Sequence, residues 1–417
     1  MSFELYKRAL KSFPGGVNSP ARLLKPYPLY VKGAKGSRLK TLDEKELIDY
    51  CLAFGPLILG SANDYVTEEI KERLELGWIY GLCTEEEILL AEKIKKYFNM
   101  DLLRFVNSGA EASMNAIRAI RGYKGKRKII MFEGNYHGSY DDLLVKAGSS
   151  MVGLPSSLGV LEDSTKNTLV LIYNDVEGLI KAVRENKEDL AGIIVEPIAC
   201  NMGLVIPDFE FIKALREVCD SYDALLIFDE IVTGFRMREY SAQNFFKVYP
   251  DLTTLGKVIG GGFPIGVFGG KEEIMKKISP QGNVHNAGTF NAHPISIYAG
   301  LKTLEYIEKF NAIDKACNFA YNIGRNLVKM VQDFGLEARV NHIASMFQIF
   351  FTKGEIRNFS DVKRCDSEKY LRFHGEMMKK GVYLAPSQFE TNFTSSAHNE
   401  IDLELTLKAM EEALRLK

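Results

Sequence analysis

Two short stretches decide the fold and the chemistry of this chain: Ala224-Leu-Leu-Ile-Phe-Asp229 and Thr254-Leu-Gly-Lys-Val-Ile-Gly-Gly-Gly262. The first is a continuous apolar run that ends in a carboxylate, which is typical of a strand covered on both faces. The second places Lys257 before three glycines, and glycines let the backbone come close to a flat ligand. A lysine held out of bulk water can attack a carbonyl group. Asp229 and Lys257 together therefore indicate a site for pyridoxal phosphate.

The rest of the pattern predicts an α/β protein. Helical segments alternate with short apolar runs, at 128–132, 169–173, 192–195 and 225–228. Such alternation predicts a mostly parallel sheet covered by helices on both faces. A long helical stretch follows at about 294–336, and a strand-helix-strand-helix pattern occupies 337–417.

The length of 417 residues predicts more than one domain. We expect an N-terminal segment over 1–55, with a helix, short strands and a loop at 12–22. A large domain should cover 56–300, and a smaller α/β domain should cover 301–417, built with help from the N-terminal segment.

Composition excludes several classes of function. Lys and Arg number 53 against 54 Asp and Glu, so no basic excess is present to bind a nucleic acid. No apolar stretch is long enough to span a membrane. The six cysteines form no Cys-x-x-Cys pair, which argues against a zinc site or a disulfide framework and favours a reducing cytoplasm. We expect a cytoplasmic protein without a metal site.

A nucleotide-hydrolase reading of Asp229 requires a phosphate loop with the pattern G-x-x-x-x-G-K-[ST]. None of the Gly-Lys dipeptides has the first glycine or the final Ser or Thr of that pattern; they lie at 125–126, 256–257 and 270–271. The nicotinamide-binding pattern G-x-G-x-x-G is also absent, because Ile265 follows Gly260 and Gly262 where the third glycine belongs.

Two further segments follow the predicted strands and have more than one reading. Asn107-Ser-Gly-Ala-Glu111 opens a helix, and its free N–H groups suit a phosphate, although Ser108 can equally be a plain N-cap. Gly134-Asn-Tyr-His-Gly138 presents an aromatic ring at a strand end, where it can stack on a planar cofactor or simply pack at the rim.

Taken together, these segments resemble the class III pyridoxal-phosphate aminotransferases, whose fold is fold type I. Other segments resemble an aminomutase branch of that family, which moves an amino group within one substrate. They are Ser12-Phe-Pro-Gly-Gly-Val-Asn-Ser-Pro-Ala-Arg22, Asn201-Met-Gly203 and Tyr383-Leu-Ala-Pro-Ser-Gln-Phe-Glu390. The resemblance runs from about residue 5 to the C-terminus.

The resemblance implies roles for residues around the cofactor, pyridoxal or pyridoxamine 5′-phosphate. Lys257 would bind it covalently and carry the proton, with Asp229 on the pyridine nitrogen. Tyr136 would stack on the ring with His137 beside it, and Asn201 would lie near the ring oxygen.

The resemblance also implies how the phosphate and the protein's partners are arranged. Ser108, Gly109 and Ala110 would hold the phosphate together with Thr289 of the partner subunit, which makes the protein a homodimer. Contact with the glutamyl-tRNA reductase that acts upstream in tetrapyrrole biosynthesis is a further expectation.

For the substrate, an amino-aldehyde, the resemblance implies Ser19 and Arg22 at its carboxylate and Glu390 near its amines. An arginine suits a carboxylate because its fork makes two parallel charge-assisted bonds. Two other functions stay open: a two-substrate class III aminotransferase acting on an ω- or β-amino acid, and a protein that binds the cofactor without chemistry.

Three positions depart from the family's usual residues: Ala110 replaces a threonine, Phe54 a tryptophan and Ser61 a histidine. We expect weaker retention of the phosphate at most, rather than a different reaction. The Gly- and Ser-rich segment 147–161 matches the family's gating loop.

Overall fold

The computed structural model describes residues 1–145 and 157–415. Within these ranges the helices are α1 Ser2–Ala9, α2 Asp64–Leu74, α3 Glu85–Tyr97, α4 Gly109–Lys124, α5 Glu162–Thr165, α6 Val176–Asn186, α7 Phe209–Ser221, α8 Ala242–Phe246, α9 Glu272–Met275, α10 Pro294–Phe310, α11 Ala312–Asp333, α12 Phe359–Lys363, α13 Ser367–Lys379 and α14 Glu400–Arg415. The strands are β1 Val31–Lys35, β2 Arg38–Thr41, β3 Glu46–Asp49, β4 Leu102–Val106, β5 Lys128–Phe132, β6 Thr168–Leu171, β7 Leu190–Val195, β8 Leu225–Asp229, β9 Leu252–Gly256, β10 Gly266–Gly270, β11 Arg339–Ile343, β12 Met346–Phe350, β13 Val382–Tyr383 and β14 Asn392–Phe393.

Seven of these strands form the central sheet, in the order β4-β10-β9-β8-β7-β5-β6. The strands from β9 to β6 pair in parallel, whereas β10 runs antiparallel to its neighbours β4 and β9. The mostly parallel sheet predicted from the sequence is confirmed. The apolar pattern does not reveal β10, because three of its five residues are glycines and carry no side chain.

Both faces of the central sheet are covered. Successive residues of a strand point to opposite faces, and here they enter different core clusters. Ile130 and Ile193 pack in the cluster that contains residues of α6 and α7. Ile129 and Ile194 pack in the cluster that contains residues of α4 and α9. This double burial explains why the strands read as continuous apolar runs rather than as alternating ones.

The carboxyl ends of the parallel strands meet at one edge of the sheet, where ligands bind in open α/β folds. Asp229 is the last residue of β8, Glu196 directly follows β7, and Lys257 directly follows β9. Strand β4 runs in the same direction as β9, because both are antiparallel to β10, so α4 also begins at this edge.

The N-terminal strands join the C-terminal part of the chain. Strand β13 pairs in parallel with β3, which completes the four-stranded sheet β1-β2-β3-β13. Strands β11, β12 and β14 form a second small sheet. Ile48 and Tyr50 are buried in the same core cluster as residues of α11, α13 and α14. The smaller α/β domain therefore uses the N-terminal segment, as expected.

The helical stretch predicted at 294–336 is two helices rather than one. Asn311 has φ of 51° and separates α10 from α11. An asparagine tolerates this left-handed conformation better than most residues, so it can end a helix where the apolar period alone continues. Helix α10 packs against α2 and α3 of the large domain. The expected boundary after residue 300 lies inside α10, and we propose Asn311 as the boundary instead.

Among the described residues, no helix combines the length and the apolar character needed to cross a membrane. The same ranges contain no group of three or more His, Cys, Asp or Glu side chains placed to hold a metal ion. All six cysteines are free thiols, and only Cys83 is exposed.

Candidate active site

Lys257 lies in the short connection between β9 and β10, at the carboxyl edge of the sheet. Its backbone is left-handed, with φ of 47°, a conformation that a non-glycine residue adopts only where its surroundings impose it. The Nζ atom donates to the carbonyl oxygen of Phe54 at 2.6 Å. Burial lowers the pKa of this amine below its ordinary value. A larger fraction of the amine is then neutral, which is the nucleophilic form.

Asp229 is held by a histidine and by the backbone. Nδ1–H of His137 donates to Asp229 Oδ2 at 2.6 Å, and the N–H of Ile231 donates to Oδ1 at 3.1 Å. Asp229 is 4% exposed and His137 1%, so the pair is shielded from water. The two bonds fix the plane of the carboxylate, which suits it to hold a positively charged ring nitrogen.

Glu196 organises the loop that carries Tyr136. Its Oε1 accepts hydrogen bonds from the N–H of Tyr136 at 2.8 Å and from Nδ2 of Asn201 at 3.0 Å. Its Oε2 accepts from the N–H of Cys200 at 2.7 Å. Burial raises the pKa of this carboxyl. The arrangement ties the predicted stacking residue Tyr136 and the predicted ring-oxygen ligand Asn201 to one group.

The start of α4 provides a cradle for an anion. Ser108 is the N-cap of this helix, and its Oγ accepts a hydrogen bond from the N–H of Glu111 at 3.2 Å. Its contact with a phosphate stays a prediction. Gly109 and Ala110 occupy the first turn, where N–H groups have no carbonyl one turn earlier to bind. A β-carbon on Gly138 would lie 2.4 Å from that of Ala110. The Tyr136 loop therefore packs directly onto the cradle.

Ile231 supplies an apolar surface where these segments meet. A β-carbon on Gly109 would lie 2.6 Å from Ile231 Cδ1, and one on Gly256 would lie 3.4 Å from Ile231 Cγ2. Ile231 thus contacts both the cradle and the residue before Lys257, while its N–H binds Asp229. Three of the predicted cofactor-binding segments lie around one side chain.

The predicted substrate residues are less tightly placed. Ser19 and Arg22 share a short turn in which the N–H of Arg22 donates to the Ser19 carbonyl at 3.0 Å, and the Arg22 side chain is exposed. Glu390 lies close enough to Lys257 to raise its pKa against the effect of burial. It also adds to the effect of burial in raising the pKa of Tyr136. Glu390 therefore lies within electrostatic reach of Lys257 and Tyr136, and its contact with the substrate stays a prediction.

Thr289 is exposed on the segment before α10. That segment is tied to the cradle through Asn291, whose Oδ1 accepts from Nδ2 of Asn107 at 3.2 Å. No hydrogen bond joins Thr289 to Ser108, Gly109 or Ala110 among the described residues. This is compatible with its predicted use by a partner subunit. Of the predicted gating loop 147–161, residues 147–156 lie outside the described ranges.

Sequence reasoning missed two residues that shape the site, Glu196 and Arg236. Glu196 had a signal, because it directly follows an apolar run just as Asp229 does. Arg236 had none, since its role depends on a left-handed turn at 52–55 that lies far away in the sequence.

The residues at this edge fit a planar, phosphate-bearing ring. His137 Nε2 and Asn135 Nδ2 are buried nitrogens without a hydrogen-bond partner in the described part of the chain. They lie in the same loop as Tyr136, beside a helix start with free N–H groups. A lysine amine, a shielded carboxylate and an anion cradle at one edge define the class of enzymes that bind pyridoxal phosphate through a lysine.

The comparison with protein families agrees with this class. The profile of the family Aminotransferase class-III matches residues 21–390. The match covers most of the chain, and the chain belongs to this family.

Individual relatives include proteins with a named activity. The chain is 50% identical to the glutamate-1-semialdehyde 2,1-aminomutase of Caldivirga maquilingensis, over 99% of this chain and 97% of the relative. It is 29% identical to an omega-transaminase from Sphaerobacter thermophilus, with a TM-score of 0.93 over 99% of this chain and 97% of the other. It is 28% identical to a transaminase with PLP bound, with a TM-score of 0.91 over the same shares.

Proposed function

We propose that the protein converts (S)-glutamate-1-semialdehyde to 5-aminolevulinate through 4,5-diaminovalerate, an intramolecular amino transfer in tetrapyrrole biosynthesis. The carrying observation is the convergence of the Lys257 amine and the His137-bound Asp229 carboxylate at one sheet edge. The aminomutase named among the relatives is 50% identical over nearly the full length of both chains.

Pyridoxal 5′-phosphate, or its pyridoxamine form, supplies the amino-group carrier and the electron sink for this reaction. Asp229 would hold a proton on the ring nitrogen, and His137 keeps the carboxylate in the orientation for that task. Ser108, Gly109 and Ala110 would receive the phosphate at the start of α4. Tyr136 would stack on the ring, and Asn201 would donate to its oxygen.

Lys257 performs the proton transfers. Its amine lies on one fixed side of the site, so it could accept a proton from a substrate carbon and return it. The lowered pKa of the amine lies closer to neutral pH. At such a pH the amine can serve as a base and, once protonated, as an acid.

Three predicted residues would bind the substrate. Arg22 and Ser19 would bind the carboxylate of the semialdehyde, and Glu390 would attract its amino groups as cations. The charge of Glu390 acts on Lys257 and on Tyr136, which supports this assignment.

The proposal includes a homodimer in which Thr289 of the partner subunit contacts the phosphate. Its support is the exposure of Thr289 on a segment anchored to Asn107, beside the cradle. Large apolar side chains are also exposed on the segment between α2 and α3, including Trp78 at 67% and Leu82 at 82%. Exposed apolar surface of this kind is typical of an interface between subunits. We also propose a cytoplasmic location, supported by the free thiols, and contact with the glutamyl-tRNA reductase stays a prediction.

The test is to incubate the pure, cofactor-loaded protein with glutamate-1-semialdehyde alone and measure 5-aminolevulinate. We expect product without any added amino donor, together with interconversion of the two cofactor forms in the absorbance spectrum. The Lys257→Ala variant is the control for product formed without the enzyme.

Other outcomes separate the remaining hypotheses. Turnover only after addition of an ω- or β-amino acid and a keto acid would replace the proposal with a two-substrate aminotransferase, the activity named for the similar omega-transaminase. A loaded protein whose cofactor never changes form would indicate binding without chemistry.

A further inference from the structure

Among the described residues, Arg236 is the largest side chain that is fully buried, with 0% of its surface exposed. A buried arginine is normally paired with a carboxylate, because leaving its charge unpaired in the interior is costly. No carboxylate pairs with Arg236 among the described residues. The proposed function assigns it no role, so its position calls for another explanation.

The guanidinium is satisfied by neutral groups instead. Nε donates to the carbonyl of Val232 at 3.0 Å, Nη1 to Oγ of Ser345 at 3.5 Å, and Nη2 to the carbonyl of Gly55. It also lies over the ring of Phe393, with 4.5 Å between the guanidinium carbon and the ring centre. These contacts fix the cation in one place without neutralising its charge.

The Gly55 carbonyl belongs to an unusual turn, 52–55. Its four residues all have positive φ: 44° at Leu52, 55° at Ala53, 64° at Phe54 and 118° at Gly55. Each non-glycine residue in this region adds strain, so the turn needs support from outside itself. Asp49 supports its start by accepting the N–H groups of Cys51 and Leu52, at 2.9 Å each. Arg236 supports its end.

The end of this turn is also where Lys257 is held. The Phe54 carbonyl accepts the Lys257 amine, and the next carbonyl, of Gly55, accepts Arg236. A β-carbon on Gly55 would lie 3.3 Å from both Nη2 of Arg236 and Cδ of Lys257. The two cations therefore flank a single glycine.

We propose that Arg236 is a positioning residue for Lys257: it anchors the left-handed turn 52–55, and the turn in turn holds the lysine amine at the Phe54 carbonyl. The unpaired charge of Arg236 has a second effect, since it favours the neutral amine of Lys257. The inference rests on the proposed function only in treating Lys257 as the reactive amine.

The charges around Lys257 support this second effect. Burial is the main cause of the lowered Lys257 pKa, and Arg236 lowers it further. Glu390, Cys200 and Glu196 act in the opposite direction. Of these four side chains, Arg236 is the cation. Its removal leaves three side chains that all raise the pKa of Lys257, against the effect of burial.

Three substitutions test the effect of the Arg236 charge on Lys257. Arg236→Lys keeps the charge, Arg236→Gln keeps a donor for Gly55 without the charge, and Arg236→Met removes both. The measurement is the pH profile of Lys257 labelling by acetic anhydride, followed by mass spectrometry. It uses the full-length protein after hydroxylamine has removed any bound carbonyl compound.

We expect the Lys257 profile to move to higher pH in the Gln and Met variants, with labelling at pH 8 slowed roughly tenfold, the scale of one nearby charge in an interior of intermediate dielectric. The Lys variant should keep the wild-type profile. Wild-type profiles in the Gln and Met variants would overturn the inference, and so would an equal shift in all three.

Arg216→Met is the matched control. Arg216 is another largely buried arginine, but it pairs with Asp251 beside the first residue of β9, at the opposite end of that strand from Lys257. Its loss should leave the Lys257 profile in place. If the Met variant does not fold, the Gln and Lys pair still decides the question, because that pair isolates the charge.

Borohydride trapping of pyridoxal phosphate on each variant distinguishes this inference from the proposed function. No trapping on Lys257 of the wild type would refute the function itself. Trapping on Lys257 with unchanged labelling profiles in the Arg236 variants would refute only the role of Arg236.

Discussion

The floor of the site and its rim are built in different ways. On the floor, Asp229, His137 and Glu196 are each less than 5% exposed, and strand ends hold them through hydrogen bonds to side chains and backbone. The two residues predicted at the rim, Arg22 and Thr289, have exposed side chains. The residues that would hold the cofactor ring are preorganised by hydrogen bonds within one chain, whereas Arg22, predicted at the substrate, and Thr289, predicted at the partner's phosphate, are not.

This difference predicts what a substitution does in each of the two regions. A substitution on the floor leaves a buried polar group without its partner, which costs about 1–3 kcal/mol before any chemistry is considered. A substitution at the rim changes only what the rim binds. The following predictions test this division, in order of decreasing effect.

Replacing the amine on the floor should have the largest effect. Lys257→Ala should lower turnover by at least about 10³-fold, because it removes the general acid and base. The assay is 5-aminolevulinate formation at saturating semialdehyde. Lys271→Ala is the matched control, since Lys271 directly follows the neighbouring strand β10 and pairs with Asp251. Near-normal turnover in the Lys257 variant would remove this residue from the mechanism.

Loss of the floor carboxylate should weaken the binding of the cofactor. Asp229→Ala should raise the Kd of pyridoxal phosphate about 10- to 100-fold, the scale of one lost charge-assisted hydrogen bond. The titration follows quenching of intrinsic fluorescence. Asp229→Asn, which keeps an acceptor for the Ile231 N–H but loses the charge, should fall in the same range. Wild-type affinity in both variants would place the ring nitrogen elsewhere.

At the rim, Arg22→Met should raise KM for the semialdehyde about tenfold, because one charge-assisted contact is lost. The cofactor spectrum and the melting temperature should stay unchanged, since the side chain is exposed. Arg8→Met, on α1, is the control for the loss of an exposed N-terminal charge. A lower affinity for the cofactor in the Arg22 variant would contradict the division between floor and rim.

The smallest effect is expected at Ala110, where the floor lacks the hydroxyl typical of the family. Ala110→Thr should tighten pyridoxal phosphate binding about two- to tenfold, the value of one added hydrogen bond. Ala110→Val controls for side-chain volume without the hydroxyl. The close packing of Gly138 on Ala110 limits the gain. Equal affinities in the Thr and Val variants would show that no hydroxyl contact forms.

Much of the fold follows from local sequence. The runs at 128–132 and 225–228 form β5 and most of β8, since Val, Ile and Leu without alternation mean burial on both faces. The apolar run at 169–173 corresponds to β6 at Thr168–Leu171. The bounds differ by one or two residues, as is common at strand ends. The break at Asn311 escaped prediction because one asparagine changes the backbone without interrupting the apolar period.

The site was predictable to a lesser degree. The rule that ligands bind at strand carboxyl ends brought Lys257 and Asp229 together from the sequence. The resemblance to the family supplied roles for residues that no spacing connects, such as Asn201 and Glu390. The support given by Arg236 to the turn 52–55 was beyond reach, because it depends on backbone angles and on a contact between residues distant along the chain.

The turn 52–55 has a consequence for how this site can diversify. Lys257 uses the carbonyl of Phe54 and not its ring, so an exchange between phenylalanine and tryptophan leaves the resting place of the amine untouched. The aromatic group can therefore vary while the backbone beneath it stays constant. β-Branched residues are a different matter, because they disfavour the φ of 64° at this position. Natural or laboratory variation at position 54 should therefore favour flat side chains that are not branched at Cβ. The backbone of the turn 52–55 should stay the same in each case.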